Sequence, residues 1–442
     1  MTFSDLKLSR PLARALDTLG YTTPTTIQQK VFSPVMSGVD ICGIAQTGTG
    51  KTLAYLLPLI NSWKYAKEKN PQVLVLVPTR ELVAQVVETV QSLTEGMGFD
   101  VIGVYGGTNI NTQGKQLLGG CDMLVGTPGR LYDLALSGAF RLKGIRKLVI
   151  DEVDEMLNLG FRPQLINILD LLPPRRQNLL FSATLVPEVE AILGDYFNEP
   201  LRLEAAPAGT PVDGVTQLAF AIPNFYSKVA LLKLLLDTDE SMSRVLVFVA
   251  TKKLADALFD ALDPDMPGAL GVIHSNKEQN HRFNTVKAFR DGTTRVLIAT
   301  DIVARGIDIA SVSHIVNFDL PEMPEAYIHR IGRTGRADQK GIAYSFITED
   351  DADARAAIEE LMKRPIPDAP LPAGLQVTTR LADWEVPEVP MRELSTKLPK
   401  KDGGGAAFHE KSARNRKVNK RVSRKEQMKA KYGKPIKKKG KG

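Results

Sequence analysis

The sequence predicts an α/β protein of two tandem domains with mainly parallel sheets, followed by a disordered basic tail. Three observations carry this reading. Short apolar runs alternate with longer helix-like segments up to residue 347, a glycine-rich turn sits directly behind the first run, and a Pro/Ala/Gly-rich break divides the runs into two sets.

The first set comprises VDICGIA (39–45), QVLVLV (72–77), DMLV (122–125), KLVI (147–150) and NLLF (178–181). The second comprises RVLVFVA (244–250), TRVLIAT (294–300), HIVNFD (314–319) and GIAYSFI (341–347). Near-continuous Val, Ile and Leu fit strands covered on both faces, as in a parallel sheet, better than the in/out alternation of a strand with one wet face. Helical connections between such strands give a layered α/β architecture. Ligands then gather just beyond the carboxyl ends of the strands. EAAPAGTPVDG (204–214) has no periodicity and reads as a linker between a first domain, 1–203, and a second, 215–364. RPIPDAPLPAGL (364–375) closes the second domain, and 365–442 reads as a Pro-rich, then basic, largely disordered tail.

Composition is consistent with this division. A chain of 442 residues exceeds one ordinary core, and 43% hydrophobic residues supply two. The longest apolar runs fall far short of the roughly 20 residues needed to span a bilayer. MTFSDLKLSR has no apolar signal region, so a cytoplasmic protein without a membrane role is expected. Cys42 and Cys121 lie in strand-like surroundings and are expected as buried free thiols in a reducing compartment. The net charge of +7 is unevenly spread: residues 411–442 hold 15 Lys or Arg against the single Glu426, and the rest holds 42 basic and 49 acidic residues. Charge alone leaves two roles open for that end, a solvating segment or an arm that attracts a polyanion such as RNA.

AQTGTGKT (45–52) follows a strand and precedes the apolar segment LAYLLPLI. Its glycines let backbone N–H groups face a phosphate at a helix N-terminus. Gln46, Thr47, Gly48, Thr49 and Gly50 form the cradle, Lys51 reaches the β- and γ-phosphates, and Thr52 holds Mg²⁺. Ala45 stands where the general pattern has its first Gly. DEVD (151–154) ends the run KLVI, where a phosphate-loop NTPase keeps its metal-side carboxylate. Asp151 is that carboxylate, and Glu152 is placed to orient or deprotonate the attacking water. ATP and Mg²⁺ are the expected substrate and cofactor.

With these motifs in order, the chain resembles DEAD-box ATP-dependent RNA helicases, over about 350 residues from Phe3 to Ile347. The resemblance implies two RecA-like domains. GYTTPTTIQ (20–28) looks like the family's Q motif; it implies that Gln28 reads the adenine edge and Tyr21 packs on the base, with Phe3 upstream. PTREL (78–82), Gly106-Gly107 and TPGR (127–130) resemble RNA-backbone motifs, implying contacts from Arg80, Gly107, Thr127 and Arg130. SAT (182–184) resembles the coupling motif, implying that Ser182 and Thr184 act with Asp154.

In the second half, VFVAT (247–251), HSNKEQNHR (274–282), ATDIVARGIDI (299–309) and YIHRIGRTGR (327–336) continue the match. They imply Gln279, Arg282, Thr300, Arg305 and Gly306 as RNA contacts and Asp308 as a ribose contact. Arg333 and Arg336 correspond to arginine fingers, and His329 to a link with the first domain's acidic motif. His274 reads as structural. The compact core with a short tail resembles bacterial helicases of the RhlE-like kind. One departure stands out: Val153 occupies the acidic motif's Ala position. Overpacking costs about 1–3 kcal/mol where space is lacking, but all carboxylates are kept and full ATPase competence is expected.

The implied activity is RNA-stimulated ATP hydrolysis that drives local, non-processive unwinding of short duplexes, by a monomer. Ribosomal precursors and RNA-decay proteins are the partners the resemblance brings. A DNA helicase on the same scaffold and a non-cycling RNA clamp are the alternatives.

Overall fold

The computed structural model describes residues 2–45, 48–65, 69–204, 214–301, 312–335 and 341–386. Among them, two wholly parallel sheets form the framework. The first contains β1 (Ile41–Ile44), β2 (Val73–Leu76), β3 (Val101–Val104), β4 (Met123–Gly126), β5 (Lys147–Ile150), β6 (Gln177–Ser182) and β7 (Leu201–Glu204). Their order is β3-β4-β2-β5-β6-β1-β7. The second contains β8 (Val215–Ala221), β9 (Val245–Val249), β10 (Leu270–Ile273), β11 (Val296–Thr300), β12 (His314–Asn317) and β13 (Gly341–Ile347), in the order β10-β11-β9-β12-β13-β8.

The central strands are apolar at successive positions because each face has its own core. Val73 and Val75 join the cluster on one face of the first sheet, whereas Leu74 and Leu76 join the other. Val149 and its neighbours Leu148 and Ile150 divide in the same way. In β9, Leu246 and Phe248 point to one cluster, and Val245, Val247 and Val249 to its opposite. Each such side chain contributes about 1.5–3 kcal/mol by leaving water. Cys42 and Cys121 are buried free thiols, and burial pushes them up to about 11 and about 12.

The nine apolar runs coincide with strands, and β3, β7, β8 and β10 lie outside them. All four are sheet edges. An edge strand has one neighbour and incomplete cover, so it need not be continuously apolar: β7 is mostly exposed and β8 alternates.

The packed region also extends past the expected boundary at 364. Ile366 is buried, the Ala219 N–H donates to the Pro367 carbonyl at 2.8 Å, and the Ala369 N–H donates to the Ala219 carbonyl at 2.8 Å. This strap therefore covers the free side of β8. Arg355 fixes its start, donating to Glu359, Asp368 and the Ile366 carbonyl at 2.7–2.9 Å. Further on, Glu385 accepts from the Phe225 N–H at 2.6 Å, and Trp384 stands edge-on to Phe225 at 5.2 Å. The basic end, within 387–442, lies outside the described residues.

Candidate active site

Every described site residue after β1 in the first domain lies at or beyond a strand's carboxyl end, as a parallel sheet demands. Helix 51–61 leaves β1 and returns the chain to β2, three strands away across β5 and β6. That crossover opens a crevice at the ends of β1, β5 and β6. Gly48 and Gly50 turn the loop with φ of +86° and +87°. A Cβ on Gly50 would run into the Gln28 amide. Gln28 is buried and ties the loop down: its Nε2 donates to the Gly50 carbonyl at 3.2 Å, and its Oε1 accepts from the Thr25 N–H at 2.9 Å.

A cavity of about 360 Å³ fills this crevice. Phe3, Tyr21 and Gln28 line one end, and Gly48, Gly50, Lys51 and Thr52 line the loop side. Asp151 and Glu152 close the floor, and Arg333 enters from the second domain. Lys51 is 6% exposed and Asp151 2%, yet Lys51 Nζ and Asp151 Oδ1 have no hydrogen-bond partner among the described residues. Open hydrogen-bonding positions on two buried groups of opposite charge, facing one cavity, fit a ligand that carries both anionic oxygens and a cation. Burial pushes the Asp151 carboxyl up to about 6, opposed by Lys51 and assisted by Glu152. Glu152 adopts φ +54°, ψ 51°, a left-handed conformation that side-chain-bearing residues seldom take and that recurs at functional sites.

Some contributors to this site were not foreseen from sequence. Tyr55 stands one helical turn past Lys51, fully buried, its phenol raised well above the ordinary value by burial and by Asp151. The i, i+4 spacing from Lys51 was the available signal. Leu82, Gln85 and Thr89 line the cavity from helix 80–93. Thr49 is described nearby, whereas Gln46, Thr47, Asp308, Arg305, Gly306 and Arg336 lie outside the described residues.

Next to the cavity, Asp154 gathers the residues expected to couple hydrolysis to strand separation. Its Oδ2 accepts from the Ala183 and Thr184 N–H groups at 3.1 and 3.0 Å and from Thr184 Oγ1 at 3.1 Å. Ser182 Oγ donates to the Thr184 carbonyl at 2.6 Å. From the second domain, His329 Nε2 stands 3.9 Å from the same Asp154 oxygen. Val153 is fully buried in the adjoining core, first in the helix 153–158.

The residues expected on RNA divide into two groups. Arg130 is held by Gln113 Oε1 at 2.6 Å and the Thr108 carbonyl at 2.8 Å, and Thr127 occupies the N-cap position of the same helix without a side-chain capping bond. Gly107 has φ +81°, and a Cβ there would overlap the Arg80 guanidinium. Arg80, Gln279 and Arg282 join the two domains through a carboxylate absent from the sequence reading, Glu81. Arg282 Nη2 meets Glu81 Oε1 at 2.5 Å, and Gln279 Nε2 donates to the same oxygen at 2.9 Å. Gln279 Oε1 accepts from Arg80 and Arg282, each at 3.2 Å. Arg282 is 8% exposed, so in this arrangement it faces protein.

Thr300 ends β11, and Asp301 beyond it receives a two-pronged bond from Arg330, at 2.6 and 2.7 Å. Arg330 also donates to Asn317 Oδ1 and the Asp319 carbonyl and covers the Phe248 ring at 4.9 Å. This buried arginine anchors helix 324–331, whose end carries Arg333. His274 is buried, with Nε2 3.0 Å from Asp256 Oδ1.

The chain is similar to known proteins in sequence and in fold. Residues 25–192 match the family model for DEAD/DEAH box helicases, and residues 227–338 match the model for the helicase conserved C-terminal domain. The chain is 36% identical to the ATP-dependent RNA helicase eIF4A of Kluyveromyces lactis, over 84% of this chain and 92% of that protein. It is 38% identical to the DEAD-box ATP-dependent RNA helicase CshA of Bacillus subtilis, over 82% and 73%. Among solved structures, Saccharomyces cerevisiae Dbp5 bound to RNA and ADP BeF3 superposes with a TM-score of 0.75 at 30% identity, covering 84% of this chain and 96% of that one. Mss116p bound to ssRNA and AMP-PNP gives 0.77 at 25% identity, covering 84% and 80%. Two RecA-like domains, the motif order and these relatives together make the chain a member of the DEAD-box family of ATP-dependent RNA helicases.

Proposed function

We propose that this helicase hydrolyses ATP only when its two domains meet, and that each cycle parts a short RNA duplex locally. The observation that carries this reading is the composite cavity: Lys51, Asp151 and Glu152 come from the first domain and Arg333 from the second. Phosphoryl transfer depends on positioning and charge neutralisation more than on covalent chemistry. Lys51 faces the transferred phosphate, Glu152 orients or deprotonates the water, and Arg333 stabilises charge that develops in the transition state. An arginine finger is worth about 10³–10⁵ in rate. Thr52 and Asp151 would hold Mg²⁺, which supplies further charge neutralisation at the phosphates. The unspent Asp151 oxygen supports that assignment.

His329 reports closure to Asp154, and Asp154 holds the SAT segment, so nucleotide state and RNA grip share one network. Arg80, Arg130, Gly107 and Thr127 contact the RNA backbone from one domain, and Gln279 and Thr300 from the other, whereas Arg282, expected on RNA, is turned to Glu81 at the domain junction. Such contacts position a strand without reading its sequence. We assign structured cytoplasmic RNAs as substrates, ribosomal precursors and decaying transcripts among them. We also assign a monomeric enzyme, because one chain supplies both sides of the cavity.

The test is ATP hydrolysis with Mg²⁺ by the purified protein alone, with single-stranded RNA and with matched DNA. Stimulation by RNA only, lost in Lys51→Ala, Glu152→Gln and Arg333→Ala, is expected. Equal stimulation by DNA would assign the DNA-helicase alternative, and RNA binding without hydrolysis would assign the clamp.

A further inference from the structure

Helix 51–61 carries Lys51 at its first residue and delivers Trp63 and Tyr65 at the opposite end of the sheet. Val73 and Lys147, paired in register, are the first residues of β2 and β5. A cleft of about 390 Å³ opens here, walled by Trp63, Tyr65, Lys64, Arg146, Lys147 and Gln72. The strands run away from it towards the ATP cavity, a rise of about 13 Å over four residues. Cleft and cavity are therefore separate sites on one domain.

Among the described residues the chemistry of the cleft is uniform in sign. Three cations line it, and no described lining residue is a carboxylate. Two acids of the neighbouring strands are already engaged: Asp100 and Asp122 pair with Lys69, and Asp122 Oδ1 also accepts from Trp63 Nε1 at 2.9 Å. Lys147 donates to Ser62 Oγ at 2.6 Å but has no anion, and burial lowers its ammonium below the ordinary value. The aromatic wall is fixed on one side and open on the other. Trp63 is locked by Asp122 and packs edge-on to Phe99 at 5.3 Å, whereas Tyr65 is 70% exposed. Its volume is within the range of small-ligand pockets. Aromatic rings beside unneutralised cations are the pattern that holds single-stranded nucleic acid, with bases stacked and phosphates on the basic side chains.

We propose that this cleft is a second RNA site, which takes one base against Tyr65 and Trp63 and the adjoining phosphates on Lys64, Arg146 and Lys147. It lies outside the motifs that form the ATP cavity and the domain clasp. Its role is to retain a neighbouring segment of the same RNA, which raises the local concentration of substrate at the primary site.

The experiment compares full-length protein with Tyr65→Ala, Arg146→Glu and the double variant. Affinity for a labelled single-stranded RNA is read by anisotropy at low salt, and RNA-stimulated ATPase is read to saturation. Tyr65→Ala is expected to raise Kd about fivefold or more, and the double variant further, with the ATPase rate at saturating RNA unchanged. RNA carrying 4-thiouridine should cross-link to the peptide containing Trp63 and Tyr65 in the parent protein and not in the double variant. Both substituted side chains are solvent-facing, and thermal melts confirm that the variants fold. Unchanged affinity together with absence of that cross-link would overturn the proposal and leave the hydrolysis mechanism intact. Loss of the saturated ATPase rate would also overturn it, by placing these residues in the primary site. Binding of polyglutamate that needs Arg146, with RNA affinity unchanged, would reassign the cleft to an acidic protein partner.

Discussion

Val153 is one methyl-bearing residue in a fully buried pocket, and its environment decides what the family's Ala would do there. Val153→Ala removes packing without returning any chemistry. It should lower stability by about 1–2 kcal/mol and leave RNA-stimulated ATPase near the parent rate, as thermal unfolding and turnover measured together would show. Improved stability with improved turnover would mean that the extra methyls strain the acidic motif. Glu152 is the converse case: its left-handed backbone costs roughly 1–2 kcal/mol, a cost tolerated for the position of its carboxylate. The identity of these residues was legible in the sequence because the motif strings carry it. The partner of Arg282 was not: Glu81 lies in a string read for its arginine, and only the approach of the second domain reveals it.

Central strands were visible in the sequence because burial on both faces writes a continuous apolar run. Edges escaped because β3, β7, β8 and β10 have one neighbour each, and β8 reads as a mixed pattern. The strap was missed for a related reason. Proline-rich composition reads as open chain, yet the Pro367 carbonyl and the single Ala369 N–H suffice to pair with one edge position, Ala219. Ending the chain after 386 should therefore leave the melting temperature near that of the full chain. Ending it after 364 should lower it by several degrees, since Ile366 alone contributes about 1.5–3 kcal/mol. β12 adds a pH dependence. His314, at its first position, is buried, and burial lowers its pKa below the ordinary 6.5, with Asp239 opposing. The unfolded chain then binds a proton that the folded chain refuses. Stability from this group is present above about pH 6.5 and is lost as pH falls below it. Melting temperatures between pH 7.5 and 5.5 should fall less steeply in His314→Asn than in the parent; parallel curves would remove His314 from the account.

The two domains meet through polar groups: Glu81 with Arg282 and Gln279, and Asp154 with His329. Breaking one half of a buried pair typically costs 3–5 kcal/mol because the other charge is left uncompensated. Glu81→Gln should therefore reduce the closed population, read by energy transfer between labels on the two domains with RNA and a non-hydrolysable nucleotide. ATPase at saturating RNA should fall at least about tenfold. An unchanged transfer signal would remove the pair from the closure mechanism. The strap has a further consequence, set by the order in which a ribosome makes the molecule. β8 is the first strand of its domain to be synthesised, and its cover around Asp368 emerges only after β13, the last strand of the sheet. Throughout that interval the nascent domain presents an open edge, so the aggregation hazard of this chain is concentrated in the time between translating β8 and releasing the strap.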